Sequence, residues 1–164
     1  MLQNDKHLIG DIMTKNVVTA YEDTPILEAS EQITSNRFNG LPVIDKDRKV
    51  IGIITEHNIL AKGAAVYMPK FMEFFSKSHN ASNEPPPIDL SAIFALTVKN
   101  IMNHAPIIAS VDESIEELIK IFSQHHSVNP IPIVDKEGIL VGIVSRFDIV
   151  KYYADVIHQM QKAH

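Results

Sequence analysis

The sequence predicts an α+β fold made of two copies of one small unit, each ordered short strand, helix, β-hairpin, helix, packed sheet to sheet about a pseudo-two-fold axis. Three observations predict it. The stretch Val141 to Asp148, Val-Gly-Ile-Val-Ser-Arg-Phe-Asp, repeats Ile51 to Asn58, Ile-Gly-Ile-Ile-Thr-Glu-His-Asn. Ile131-Pro132-Ile133-Val134-Asp135-Lys136 repeats Leu41-Pro42-Val43-Ile44-Asp45-Lys46, proline included. Asn100-Ile101-Met102 repeats Asp11-Ile12-Met13, and the three pieces come in the same order both times. Agreement in order, spacing and residue type marks an internal duplication.

The first copy covers residues 8–62 and the second 97–157. Asp11-Ile12-Met13 opens the first as a short turn of helix, and Val17-Val18-Thr19 follows as a brief strand. Asp23-Thr24-Pro25 is a helix start, a capping residue followed by proline in the first turn. The helix runs through Ile26, Ala29 and Ile33 to about Asn36, and Asn39-Gly40 breaks it. Leu41-Pro42-Val43-Ile44 is a strand whose proline cannot donate to a ladder, which predicts an edge or a strand start. Asp45-Lys46-Asp47-Arg48 is the polar turn of a hairpin into Val50 to Thr55, and a helix closes the unit.

In the second copy Asp112-Glu113-Ser114 opens a helix from Ile115 to about His125, with Leu118, Ile119 and Phe122 as its apolar stripe. The spacing between copies is 89 residues at Met13 and Met102 and 90 at Gly52 and Gly142, which places a one-residue insertion near His125-His126. Residues 63–96 belong to neither copy. There Tyr67, Phe71, Phe74 and Phe75 share a helix face, and a proline-rich loop ends in Pro85-Pro86-Pro87. An amphipathic helix packed on the body is the plain reading; a lid over a ligand or a contact with another chain is the alternative. The last helix carries Ile149, Tyr152, Tyr153, Val156, Ile157 and Met160, a stripe longer than one small repeat needs, read either as internal packing or as a dimer seam.

Composition removes several function classes. A hydrophobic fraction of 45% is that of a globular protein. A net charge of −5 with 15 Lys+Arg argues against DNA, which needs a concentrated basic surface, whereas a small anion needs only a few local charges. Apolar runs such as Val50 to Ile54 are too short to span a bilayer, and the first residues lack a signal-peptide core, so the expected location is cytoplasmic with no membrane insertion. With no cysteine there is no disulfide and no thiolate site. The eight histidines show no His-x-His or His-Glu-x-x-His spacing, so no metal site is expected. There is no phosphate-binding Gly-x-x-x-x-Gly-Lys-(Ser/Thr) loop, no Gly-x-Ser-x-Gly elbow and no nameable nucleophile–base pair, so no catalytic residues and no required cofactor are expected.

A unit of about 60 residues has a marginal core, and pairing two of them buries their remaining sheet faces while leaving symmetric clefts. A strand glycine such as Gly52 or Gly142 implies that something approaches the backbone closely, either a flat ring or the partner sheet. Each repeated segment is a strand that ends at a hydroxyl, Thr55 or Ser145, and turns into a helix. The free N–H groups of such a turn suit an anion. Three residues on, Asn58 or Asp148 offers an oxygen to vicinal hydroxyls such as those of a ribose. The same spacing also fits a capping box.

In this order, twice, these segments identify a resemblance to a pair of CBS domains, the cystathionine-β-synthase type repeat. The residues that carry it are Asp-Ile-Met at 11–13 with Asn-Ile-Met at 100–102, Leu-Pro-Val-Ile-Asp at 41–45 with Ile-Pro-Ile-Val-Asp at 131–135, and the two Gly-x-x-(Thr/Ser)-x-x-(Asn/Asp) segments. The resemblance implies a regulatory, energy-sensing module, often a homodimer, that binds adenine nucleotides (AMP, ADP or ATP) between repeats. It implies that Ser145 and Asp148 contact phosphate and ribose, with backbone groups of Ile107, Ile108 and Ala109 along the base and Pro132 nearby. Thr55 and Asn58, with Val17, Val18, Thr19 and Pro42, would form the other cleft. Arg146 sits where a phosphate would lie, or is a solvated surface arginine; His57 and Glu56 occupy the equivalent region of the first copy. Aspartate is the better acceptor and Glu56 would repel a phosphate, so the Asp148 cleft ranks first. A ligand-free dimerisation or assembly module, or a sensor of S-adenosylmethionine or a cyclic dinucleotide, is the alternative. The partner would be a regulated enzyme or transporter.

Overall fold

A computed structural model of the chain describes residues 7–61 and 95–162. The expected helix bearing Tyr67, Phe71, Phe74 and Phe75, and the proline-rich loop after it, lie outside those residues. The first copy contains α1 (Ile9–Ile12), α2 (Ile26–Asn36), the hairpin of β1 (Gly40–Ile44) and β2 (Val50–Thr55), and a helical segment over 56–61. The second contains α3 (Val98–Ile101), β3 (Ala109–Ser110), α4 (Ile115–Gln124), the hairpin of β4 (Ile131–Val134) and β5 (Leu140–Val144), and α5 (Arg146–Lys162).

The two long helices start differently. Ser114 caps α4, its Oγ accepting from the N–H of Glu117. At α2, Pro25 stands at the cap position itself, and Thr24 Oγ1 accepts from Tyr21 instead. The first N–H of α2, on Ile26, is satisfied by the carbonyl of Leu96, from the chain entering the second copy. α2 ends at Arg37, which adopts the left-handed conformation with φ 56°.

β4 lies between β3, to which it is parallel, and antiparallel β5. In the first copy the expected strand at 17–19 is replaced by one parallel bridge from Ala20 to Val43, so β1 too is an interior strand. The prolines therefore do not mark an edge. The carbonyl of Pro42 accepts from Ala20, so its missing N–H would have faced Val18, before the ladder begins. Both hairpin turns are tied by one aspartate. Asp45 Oδ1 accepts from the N–H of Asp47 and Lys49, and Asp135 Oδ1 from Glu137 and Ile139.

The copies are joined by exchange of their leading segments. Ile9 of α1 is buried in the core of the second copy with Leu118, Phe122, Ile131 and Ile133. Val98 and Ile101 of α3, and Met102 just after it, lie in the core of the first, with Ala29, Ile33 and Ile54. Backbone bonds repeat the crossing: Ile9 donates to Glu113 and Gly10 to Val111, while Val98 donates to Thr24 and Lys99 to Glu22. Further on, Thr14 and Ile143 exchange both backbone bonds, as do Asn103 and Ile53, so each hairpin's outer edge is closed by the other copy.

This crossing explains the two strand glycines. A Cβ on Gly142 would stand 2.8 Å from Met13 Cγ, and one on Gly52 would stand 2.7 Å from Met102 Sδ and 3.0 Å from the carbonyl oxygen of Asn103. What approaches each glycine is the leading segment of the other copy, neither a flat ring nor the partner sheet.

Candidate functional site

At the start of α5, Asp148 Oδ2 accepts from the N–H of Ser145 at 2.7 Å and from its Oγ at 2.6 Å. In the first copy Asn58 Oδ1 accepts from the N–H of Thr55 at 3.1 Å and from Oγ1 at 2.8 Å. Both turns are thus reciprocal caps, since Ser145 Oγ and Thr55 Oγ1 in turn accept from the N–H of residues 148 and 58. The cap occupies one carboxylate oxygen. Asp148 Oδ1 makes no hydrogen bond among the described residues, so capping does not exhaust the group.

Ser145 and Asp148 line a cavity of about 480 Å³ together with Val17 and Val18 of the first copy. Small-molecule sites run from about 300 to 1,000 Å³, so this one is of ligand size. The second cleft, about 120 Å³, is lined by Thr55, His57 and Asn58 with Pro106 and Ile107 of the second copy. It falls below that range.

The pairing is the reverse of the expected one, in which Ile107 stood with Asp148 and Val17 with Asn58. The exchange of leading segments is the cause. Thr14 runs beside Ile143 at the end of β5 and carries Val17 and Val18 to Ser145; Asn103 runs beside Ile53 and carries Ile107 to Thr55. Ile108 is exposed, Ala109 is buried in the second core, and Pro42 and Pro132 are buried within β1 and β4. None of these four, nor Thr19, lines either cleft.

Arg146 is placed elsewhere than expected. Its guanidinium donates to the carbonyls of Phe122 (2.9 Å), His125 (3.0 Å) and His126 (3.2 Å) and lies over the Phe122 ring at 4.8 Å. It caps the C-terminus of α4, is not a solvated side chain and lines neither cleft. The cavity wall that sequence reasoning missed is the loop after α2, with Arg37, Phe38 and Asn39. Its signal was present only as the break at Asn39-Gly40, which has no periodicity to follow. Among the described residues, no helix is long and apolar enough to cross a membrane.

Two duplicated α+β units that exchange their leading helices and meet around clefts of unequal size define a tandem-repeat module. The CBS domain family model matches residues 9–64 and 98–155, and the chain belongs to the CBS-domain family. An uncharacterized protein of Methanocaldococcus jannaschii is 28% identical over 152 residues, covering 88% of this chain and 89% of that protein. Among solved structures, CBSX2 of Arabidopsis thaliana in complex with AMP has the same fold, with a TM-score of 0.69 at 20% identity over 92% of this chain and 98% of that one. The CBS domain pair of protein MJ0100, in complex with 5′-methylthioadenosine and S-adenosyl-L-methionine, is similar with a TM-score of 0.64 at 26% identity, covering 89% and 98% of the two chains.

Proposed function

We propose that this chain is a regulatory module that binds an adenosine-containing ligand in the cleft beside Asp148, without chemistry, and passes occupancy to a partner. The observation that carries this reading is the cavity of about 480 Å³ whose wall joins Ser145 and Asp148 of one copy to Val17 and Val18 of the other. Asp148 Oδ1 is the acceptor for a ribose hydroxyl, and the backbone at Val17 and Val18 meets the base. Adenosine is the element common to the ligands of CBSX2 and the MJ0100 pair. One ligand binds per chain, because the cleft at Asn58 is too small for a nucleoside. A ligand that touches both copies favours one arrangement of them over another, and that differential contact is what a partner reads.

The test is a nucleotide titration followed by thermal unfolding. AMP at 100 times its dissociation constant stabilises the chain by about 2.7 kcal/mol. Asp148→Asn keeps the cap, as Asn58 does in the other copy, yet weakens the ligand response by removing the carboxylate. Absence of any shift with AMP, ATP, adenosine or S-adenosylmethionine, or a shift indifferent to Asp148→Asn, defeats the proposal.

A second reading, an assembly module without a ligand, is favoured by the outer face of α5. Ile149 is buried and Tyr152 and Val156 are half-buried, whereas Val150, Tyr153, Ile157 and Met160 are 48 to 65% exposed. The homodimer expected from the sequence would use this outer stripe, and the two readings are compatible in one molecule.

A further inference from the structure

We propose that Arg37 sets the charge class of the ligand, so that the Asp148 cleft takes an adenosine phosphate in preference to the S-adenosyl cation. This rests on the reading of that cleft as an adenosyl site. Of the described residues that line the cavity, Arg37 is the one cation and Asp148 the one anion. Asp148 already gives Oδ2 to the cap, and with Oδ1 on the ribose no carboxylate remains among the described residues of the wall to hold a sulfonium. The guanidinium of Arg37 has no hydrogen bond or ion pair among the described residues, in contrast to Arg146, whose guanidinium is committed to backbone carbonyls of its own chain between Phe122 and Val128.

The backbone does not account for an arginine at this position. Residue 37 is the C-cap of α2 in the left-handed region, held there by its N–H donating to the carbonyls of Ile33 and Thr34. Such a position suits Gly or Asn. Ninety residues on, at the offset that relates the two proline-bearing strands, Ser127 lines the small cleft and has no charge. The cation and the larger volume thus occur in the same cleft. A guanidinium matches a phosphate by forked, charge-assisted hydrogen bonds, and it repels a sulfonium.

The experiment is isothermal titration of the full chain, stripped of co-purified nucleotide, with AMP, adenosine, 5′-methylthioadenosine and S-adenosylmethionine at one ionic strength. AMP binds about ten- to a hundredfold more tightly than adenosine, the range a hydrogen-bonded charge pair supplies. Arg37→Asn, which retains a residue tolerant of the left-handed backbone, brings AMP down to the affinity of adenosine and leaves adenosine itself unchanged. Arg37→Lys restores part of the difference. Equal affinity of AMP and adenosine for the native chain, tighter binding of S-adenosylmethionine, or an unchanged AMP affinity in Arg37→Asn overturns the role of Arg37 while the adenosyl reading of the cleft stands. Failure of all four ligands to bind overturns both.

Discussion

Asp148 has two loads, and its two oxygens separate them. Oδ2 holds the first turn of α5 by accepting from both the N–H and Oγ of Ser145, while Oδ1 is left for a ligand. A side chain that is both cap and ligand group confuses a simple alanine test, because loss of a cap costs about 0.5–2 kcal/mol by itself. Asn58 makes the same two bonds with an amide oxygen, so this chain contains its own control. In denaturant unfolding without ligand, Asp148→Ala loses about 1 kcal/mol and Asp148→Asn stays within about 0.5 kcal/mol of the native chain. An equal loss in both variants shows that the carboxylate's charge, and not its cap geometry, stabilises the turn. Arg146 teaches a related lesson at the same turn: its position at the helix start invited a phosphate, but its length lets it reach the carbonyls at the C-terminal end of α4 and just beyond it.

At the scale of elements, the leading helices decide both the cores and the clefts. Met102 is fully buried against Gly52 and is followed by the Asn103 carbonyl, which cannot swing away; Met13 against Gly142 is only half-buried. Overpacking costs about 1–3 kcal/mol, so Gly52→Ala lowers the melting temperature more than Gly142→Ala, whose flexible neighbour moves outward. The reverse order in a thermal scan rejects this account of the crossing. The hairpins were legible in the sequence because each has a physical marker: a proline-bearing strand, an aspartate-led turn and a second strand with a glycine. The duplication followed from finding those markers twice.

The exchange of leading helices was not legible, and the reason lies in the duplication itself. Ile9 and Val98, or Met13 and Met102, are nearly equivalent side chains, so a helix fits the core of its own copy as well as that of the other. No residue pattern distinguishes the two packings. The inverted pairing of the clefts follows from that ambiguity alone, since Val17 and Ile107 travel with the helices that precede them. Arg37 escaped notice for a different reason: a loop residue has no periodicity, and only coordinates show which cavity it borders.

At the scale of the whole molecule, α5 links the site to the outside. It begins at the Ser145–Asp148 cap and ends in an outer stripe in which Val150, Tyr153, Ile157 and Met160 follow one another at spacings of three, four and three residues. That is the spacing of a helix–helix seam, and two copies of one stripe related by a two-fold axis bury each other. The native chain is expected to be a dimer by light scattering after size exclusion. Ile157→Glu makes it a monomer without loss of thermal stability per chain, because this side chain is already half-exposed in the single chain. A native monomer at tens of micromolar or above, or an Ile157→Glu dimer, removes the seam. If ligand and seam communicate through α5, linkage requires equality: the factor by which AMP changes the dimer dissociation constant is the factor by which dimerisation changes the affinity for AMP. Sedimentation equilibrium with and without AMP gives the first factor, and AMP titration of the native chain against Ile157→Glu gives the second. Two factors near one leave the cleft and the seam as independent devices, and occupancy must then be read from the surface around the cleft rather than along the helix.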